Sequence, residues 1–440
     1  MLDFLPHLKY LNMEYLNVTT MEDKKITASG LMDLENQFGA NNYHPLPVVL
    51  DRGEGVFVWD VKGRKYFDFL SAYSAVNQGH CHPEIINSLV RQARKLTLTS
   101  RAFYNSQLGR YEEFVTSYFG YDKVLPMNTG AEAVETAIKL CRKWAYEKKS
   151  LPDNSAQIVV CENNFHGRTT TIVSFSTDDE ASNHYGPYTP GFIVIPYNNA
   201  DALEKVLLEH SNIAGFLVEP IQGEAGAFVP DDGYLKKCFD LCRRHNVLFI
   251  ADEVQTGIGR TGKLLACDYE DVHPDILILG KALSGGVYPV SAVLSSREIM
   301  EVILPGQHGS TFGGNPIAAA VAVTALEVVR DENLAEKAYE LGEIFRAEMQ
   351  KLCENSSIAS SVRGKGLLNA LVINNEGHTN LAWDICLKLI DLGLLAKPSH
   401  TNIIRFAPPL VITKTQLLEC VYLIKRAIQE FENTPTGKSY

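Results

Sequence analysis

The 440-residue chain reads as an α/β protein. The expected architecture is a large, mostly parallel sheet of the seven-stranded type. It is joined to a smaller α+β domain built from N- and C-terminal segments. Three observations predict this class. Short, fully apolar runs recur between residues 156 and 294, separated by stretches of helical period, which is the pattern of buried parallel strands under helical layers. Two of these runs, Leu248–Ala251 and Ile276–Leu279, end next to a single ionisable residue, Asp252 or Lys281. Beyond about residue 331 the pattern changes to amphipathic helices mixed with short strands.

In chain order, residues 1–26 read as a loosely ordered extension. Residues 27–84 read as an N-terminal segment that packs with the small domain. There Val56–Asp60 and Tyr66–Phe69 form the arms of a hairpin turning at Lys62-Gly63-Arg64-Lys65. Residues 85–330 form the large domain. Its strand candidates are Ala156–Cys161, Phe192–Ile195, Ile213–Val218, Val247–Ala251, Ile276–Leu279 and Val290–Leu294. Asn315 and Pro316 supply the N-cap and first position of a long alanine-rich helix. Residues 331–440 form the C-terminal small domain, with helices over 331–353, 378–393 and 414–431 and strands at Leu367–Ile373 and Ile403–Phe406.

Bulk composition excludes more than it identifies. The formal net charge of −11, without a basic cluster, argues against nucleic acid or an anionic membrane surface as main partner. The apolar stretch Ile317–Val329 is broken by Thr324 and Glu327 and is too short to span a bilayer. The nine cysteines include no CxxC and are expected to be reduced and buried. Met1–Lys25 has no signal-peptide apolar region and no arginine, and it carries Asp3, Glu14, Glu22 and Asp23. That pattern argues against a secretory signal or a mitochondrial presequence, so a cytoplasmic location is expected.

The chemistry lies at strand ends. In open α/β sheets ligands gather outside the carboxyl ends of the strands, so Asp252 and Lys281 reach one rim. A lysine that forms a Schiff base and an acid that keeps a pyridine nitrogen protonated are what pyridoxal 5'-phosphate requires. A lysine set among Leu279, Gly280, Ala282 and Leu283 is costly to bury charged, which makes it nucleophilic. A snorkelling structural lysine is the alternative. Gln255, one turn beyond Asp252, can reach the cofactor's phenolic oxygen, although Asp252 also suits an ordinary helix cap. Asn128-Thr129-Gly130-Ala131-Glu132 opens a helix with Val134, Ala137, Ile138, Cys141, Trp144 and Ala145 in period. Such an N-terminus binds phosphate, and Gly130 lets backbone approach closely. Thr129 and Glu132 equally fit a capping box that needs no ligand. Phe165 offers a face to a cofactor ring, and Arg168 offers a bidentate carboxylate site. A plain surface loop is the alternative. Ser310–Asn315 is a hydroxyl and glycine loop suited to a further phosphate oxygen.

Two patterns mislead. Gly257-Ile258-Gly259-Arg260-Thr261-Gly262 spells a dinucleotide fingerprint but opens no helix, so it reads as a loop. His80-Cys81-His82-Pro83 suggests metal ligands, yet no second cluster completes a tetrahedral site, and no metal is expected. The absence of GxSxG weakens a serine-hydrolase reading.

The phrases LVEPIQGEAG, FIADEVQTGIGRTG, LGKALSGGVYPVSA and STFGGNP resemble the class III aminotransferases of the fold type I pyridoxal phosphate group, over about residues 31–431. NNYHPLPVVL, WDVKGRKYFDFLSAYSAVNQGHCHP and IIRFAPPLVI resemble the branch that transaminates ornithine. The resemblance implies that Lys281 forms the Schiff base, Asp252 pairs with the pyridine nitrogen, Phe165 stacks on the ring and Gln255 bonds the phenolic oxygen. It implies phosphate contacts from the amides of Gly130 and Ala131. Thr311 would reach the phosphate of the other subunit, which requires a homodimer with active sites at the subunit interface. The implied substrates are L-ornithine and 2-oxoglutarate, giving L-glutamate 5-semialdehyde, which cyclises to pyrroline-5-carboxylate, and L-glutamate. Arg168 would bind the α-carboxylate of ornithine, Tyr43 its α-amino end, and Tyr73 would shape the pocket. Arg405 would take the carboxylate beside the ketone of 2-oxoglutarate, and Glu224 would mask Arg405 while ornithine reacts. Acetylornithine and 4-aminobutyrate are the neighbouring substrates, but an acylated or absent α-amine has no need of Tyr43 and Tyr73. A nicotinamide-dependent oxidoreductase using Gly257–Gly262 and a catalytically silent scaffold on the same fold are the readings from other classes.

Overall fold

The computed structural model describes residues 27–376 and 378–433. The backbone divides into two compact units, residues 1–51 with 59–64, and residues 52–58 with 65–440. In the first unit Thr27 caps the helix Ala28–Phe38 by accepting from the N–H of Gly30 at 3.1 Å. The same unit holds the tip of the expected hairpin, where Asp60 Oδ1 accepts from the N–H groups of Lys62 and Arg64, each at 2.9 Å.

The second unit is built on a seven-stranded sheet. Its strands are β1 (Lys123–Met127), β2 (Gln157–Cys161), β3 (Phe192–Ile195), β4 (Ile213–Val218), β5 (Leu248–Asp252), β6 (Ile276–Leu279) and β7 (Ser291–Ser295). They lie in the order β1-β7-β6-β5-β4-β2-β3, and β7 alone runs antiparallel to its neighbours. Every residue of β4, β5 and β6 is buried, as continuous apolar runs in a doubly covered sheet require. Alternate residues serve opposite faces. Ile158 and Val160 pack under Ala137, Ile138, Cys141 and Trp144 of the helix Gly130–Glu147. Val159 and Cys161 join Leu203, Leu207, Leu235 and Cys238 on the other side, from the helices Ala200–Glu209 and Tyr234–Arg244. At roughly 1.5–3 kcal/mol for each fully buried aliphatic side chain, these two layers hold the carboxyl ends of β2, β4, β5 and β6 rigidly in line. β1 is an addition to the strands expected from sequence. It sits at the sheet edge, the place where a strand tolerates a proline such as Pro126.

A second sheet has four strands, β8 (Ala359–Lys365), β9 (Leu368–Ile373), β10 (Lys397–Ser399) and β11 (Ile403–Phe406), in the order β8-β9-β11-β10. Arg405 faces Ala370 of β9 on one side and Lys397 of β10 on the other, so it occupies the middle of this sheet. The helices Leu334–Cys353, Leu381–Leu392 and Lys414–Glu432 correspond to the three expected there. The alanine-rich helix spans Pro316–Asp331, and Asn315 Oδ1 caps it by accepting from the N–H of Ala318 at 3.0 Å.

The misleading patterns find structural roles. Gly257–Gly262 is a non-helical loop. Its Arg260 is fully buried and donates to Asn77 Oδ1 and to the carbonyls of Leu367 and Pro408. His80 pairs with Asp68 at 2.7 Å and His82 with Glu332 at 2.9 Å. Of the nine cysteines Cys81 is exposed, Cys353 is half-buried, and the rest are buried free thiols. No helix among the described residues is long and apolar enough to cross a membrane.

Candidate active site

Neighbouring strands deliver the ionisable groups. β2, β4, β5 and β6 are adjacent and parallel, so the residues just past their carboxyl ends share one edge. β2 leads into Phe165 and His166, β4 into Glu219, β5 ends in Asp252, and β6 leads through Gly280 into Lys281. Val254 draws the edge together. A Cβ on Gly130 would come within 3.0 Å of Val254 Cγ1, and one on Gly280 within 3.2 Å. The helix Gly130–Glu147 and the Lys281 turn therefore close on one valine from two sides.

Asp252 is buried with both oxygens engaged. Oδ1 accepts from the N–H of Val254 at 3.1 Å, and Oδ2 meets His166 Nδ1 at 2.6 Å. The imidazole is fully enclosed, and its Nε2 has no hydrogen-bond partner. Burial pushes His166 down, but the hydrogen bond and negative charge of Asp252 outweigh it, leaving His166 above the usual histidine range. Glu219 accepts from the N–H of Phe165 at 2.8 Å and of Gly223 at 3.4 Å, so it ties two loops of the site to one carboxyl. Burial holds this carboxyl up at about 7, with Asp252 adding repulsion and His166 working against it.

Lys281 has φ of 44° at the head of a short 3₁₀ turn. The residue is half-buried, but its amine is enclosed by protein. Burial brings the amine down to about 8, helped by the Arg405 cation and opposed by Glu224, Asp252 and Glu219. The candidate nucleophile and the acid expected from sequence thus share one electrostatic cluster.

Arg405 is fully buried. Its Nη1 donates to Glu224 Oε2 at 2.7 Å, its Nη2 donates to Gln255 Oε1 at 2.6 Å, and its guanidinium lies 5.2 Å from the centre of the Tyr73 ring. Phe165, His166 and Glu224 line a cleft of about 600 Å³. Arg168 is exposed, with its guanidinium 5.7 Å from the centre of the Phe165 ring. Tyr73 belongs to a run of four non-glycine residues, Ser71–Ser74, all with left-handed φ between 46° and 73°. That is costly backbone of the kind found at functional sites.

The helix N-terminus satisfies both readings of its sequence. The capping box is present: Thr129 Oγ1 accepts from the N–H of Glu132, and Glu132 Oε2 accepts from the N–H groups of Asn128 and Thr129. A helix leaves its first four N–H groups without intrahelical acceptors. The Glu132 carboxylate takes that of Thr129 and the Thr129 hydroxyl that of Glu132, so Gly130 and Ala131 carry the two that remain for an anion. Asn128 also donates to Ser310 Oγ at 2.8 Å, anchoring the loop that carries the exposed Thr311 to this terminus. Tyr43 is exposed and lies in the first unit.

The group therefore fits pyridoxal 5'-phosphate on chemical grounds. A buried carboxylate is held in place by an imidazole. A lysine is poised near neutrality. Two helix amides lie free at Gly130 and Ala131, where a Cβ on Gly130 would crowd Val254. His166 and Glu219 went unassigned in the sequence. Yet Glu219 follows the apolar run Ile213–Val218 as Asp252 closes its own run, which is the signal that would have found it.

Comparison with known proteins agrees with this geometry. The family model for class III aminotransferases matches residues 38–428. The mitochondrial ornithine aminotransferase of Drosophila melanogaster is 58% identical over 421 residues, covering 94% of this chain and 96% of that one. A structure of the Toxoplasma gondii ornithine aminotransferase, with partial occupancy of PLP at its active site, superposes with a TM-score of 0.91 at 48% identity, covering 93% of this chain and 96% of that one. A structure of an acetylornithine aminotransferase from Elizabethkingia anophelis is 63% identical, with a TM-score of 0.85, covering 92% and 99%. These relatives overturn the cytoplasmic location expected from Met1–Lys25. The fly, rat and rice enzymes are mitochondrial, although those of Schizosaccharomyces pombe and Plasmodium falciparum bear no such designation. The expectation rested on the charge pattern of one short segment, which lies outside the described residues.

Proposed function

The chain belongs to the class III aminotransferases, and on that premise we propose that it transfers the δ-amino group of L-ornithine to 2-oxoglutarate. The products are L-glutamate 5-semialdehyde, which closes to pyrroline-5-carboxylate, and L-glutamate. Pyridoxal 5'-phosphate is its cofactor. The observation that carries the reading is a second buried cation near Lys281, already neutralised: Arg405 on Glu224 at 2.7 Å.

Two substrates of opposite charge pattern must use one site. Ornithine presents a distal amine to the reacting centre, with its carboxylate far away. 2-Oxoglutarate presents a ketone with a carboxylate beside it. An open arginine near the reacting centre would draw the wrong end of ornithine, so an arginine that can be covered and uncovered suits both. In this reading Arg405 takes the carboxylate next to the ketone, and Glu224 covers Arg405 in the ornithine half-reaction. Arg168, beside the Phe165 ring, takes the distant α-carboxylate. Tyr73 shapes the pocket, and Tyr43 serves the α-amino end.

The cofactor, when bound, supplies the electron sink that stabilises charge at the reacting carbon. The chain does the rest. Asp252, fixed by His166 and Val254, would pair with the ring nitrogen and keep its proton in place. Gln255 would face the phenolic oxygen and Phe165 the ring. Gly130 and Ala131 offer N–H groups to the phosphate. Lys281 Nζ, with its pKa at about 8, accepts and returns a proton near neutral pH. A positioned base of this kind is worth roughly 10²–10⁴-fold. Thr311 would complete the phosphate site of a second subunit. In support of a homodimer, Thr311 and its neighbour Phe312 are exposed on the chain, as are Phe103 and Tyr104.

The test adds ornithine, without keto acid, to purified yellow protein. Loss of the yellow absorbance with release of one equivalent of pyrroline-5-carboxylate is expected. No change with ornithine, but bleaching by acetylornithine or 4-aminobutyrate, would assign the neighbouring activity instead.

A further inference from the structure

The neighbours of Arg405 are not equivalent. Glu224 is charged, and its side chain is 35% exposed, so it has room to swing into solvent. Gln255 is neutral and buried, and it packs so closely on Gly223 that a Cβ there would collide with Oε1. Guanidinium groups only donate. The Gln255 atom facing Nη2 must therefore be its carbonyl oxygen, which fixes the orientation of the amide. Arg405 Nε is buried and has no acceptor at all.

We propose that Gln255 is the fixed half of a two-part lock on Arg405 and a specificity-determining residue for the keto acid. Glu224 is the half that leaves. A buried cation stripped of every acceptor is strongly disfavoured. With Gln255 in place, departure of Glu224 uncovers Nη1 while Nη2 stays bonded and the guanidinium keeps its position in β11. The incoming carboxylate then meets a preset cation whose Nε already lacks a partner. The chemistry of residue 255 matters as much as its place. A neutral amide satisfies the donor without cancelling the charge, so Arg405 stays cationic once Glu224 has gone. A carboxylate at 255 would bind more strongly, could not swing away, and would neutralise Arg405 permanently. This inference rests on the reading of Arg405 as the keto-acid carboxylate site.

The test compares Gln255→Glu, Gln255→Leu and Glu224→Gln with the parent, all loaded with cofactor. Each preparation is read twice. Single-turnover rates are taken separately for ornithine and for 2-oxoglutarate, so that partial cofactor loss scales both alike. Calorimetry measures the affinity of glutarate, a dicarboxylate with no ketone to react. Gln255→Glu is expected to lower the 2-oxoglutarate rate about 100-fold relative to the ornithine rate and to abolish glutarate binding. Gln255→Leu should weaken glutarate about tenfold, whereas Glu224→Gln should tighten it. If Glu224→Gln tightens glutarate while both Gln255 variants bind it as the parent does, the lock has one half only and the proposal is wrong. If no variant alters glutarate binding, Arg405 is not the carboxylate site, and the reading beneath the proposal fails with it.

Discussion

Removing the charge of Glu224 should redirect the enzyme toward α-amines. The ion pair spans 2.7 Å between a fully buried guanidinium and a carboxylate that is 35% exposed. With charge centres about 4 Å apart, an effective dielectric near 20 gives an attraction of about 4 kcal/mol. The exposed third of the carboxylate is screened by water and salt, as surface pairs are, which reduces the usable part to about 1.5–2 kcal/mol. At roughly 1.4 kcal/mol per factor of ten, the masking is worth about 10- to 30-fold. Glu224→Gln keeps an acceptor for Nη1 and removes only the charge, while Glu224→Ala removes both. The assay is the ratio of kcat/KM for L-glutamate to that for L-ornithine, taken at low and high salt. Both variants should raise the ratio by about 10- to 30-fold at low salt, and by less when salt already weakens the pair in the parent. An unchanged ratio in variants that fold as the parent does would refute the masking argument.

Other consequences concern stability. Ala72 sits at φ 46° within the left-handed run Ser71–Ser74. Ala72→Gly should therefore raise stability by about 0.5–1 kcal/mol in denaturant unfolding, a glycine being at ease where alanine is strained. The Glu219 carboxyl stands at about 7 in the fold against 4.5 unfolded, so the folded state binds its proton more readily. That stabilisation is complete below about 4.5 and disappears as pH rises through about 7; Glu219→Gln should flatten this part of a stability–pH profile. Lys281 has the opposite sign. At about 8 folded against 10.5 unfolded, the unfolded chain binds more protons between those values. Cofactor-free protein should therefore gain stability as pH climbs from 8 to 10.5, and Lys281→Met should remove that slope. A Lys281→Met profile parallel to the parent's would mean that the amine is not perturbed as its surroundings imply.

The frame of the fold was legible because burial writes itself into composition. β4 and β6 follow apolar runs whose limits agree with the structure, since strands covered on both faces leave no room for polar residues, and the limits of β3 and β11 agree as well. The edge strands β1 and β8 were not legible. β1 carries Pro126, which a central strand would exclude, and β8 reads Ala-Ser-Ser-Val-Arg-Gly-Lys, with little apolar signal. Both are recognisable only by the partners they add to. Lys281, Asp252 and the Gly130 helix start were visible as apolar patterns interrupted at the right place. The contact between Arg405 and Gln255 spans 150 positions and joins one sheet to the other. No local pattern could announce it, and it changes what Gln255 is seen to do.

His166 and Glu219 show why single-residue readings stayed even while the cluster is specific. Taken alone, Asp252 is as good a helix cap as a cofactor acid, and Lys281 still admits a snorkelling lysine beside the favoured nucleophile. What separates the readings is mutual perturbation. Lys281 is lowered by burial and by Arg405, and is held from falling further by Glu224, Asp252 and Glu219. Glu219 is raised by burial and by Asp252, and is opposed by His166. A structural lysine or cap gains nothing from such opposition, because burial without pairing only costs stability. A site that must handle a cationic and then a dianionic substrate does gain. Its cations and carboxylates nearly cancel at rest, so little net charge has to be buried, and displacing Glu224 alone exposes a full positive charge. The cluster is therefore better understood as a balance set to be tipped than as a list of separate roles.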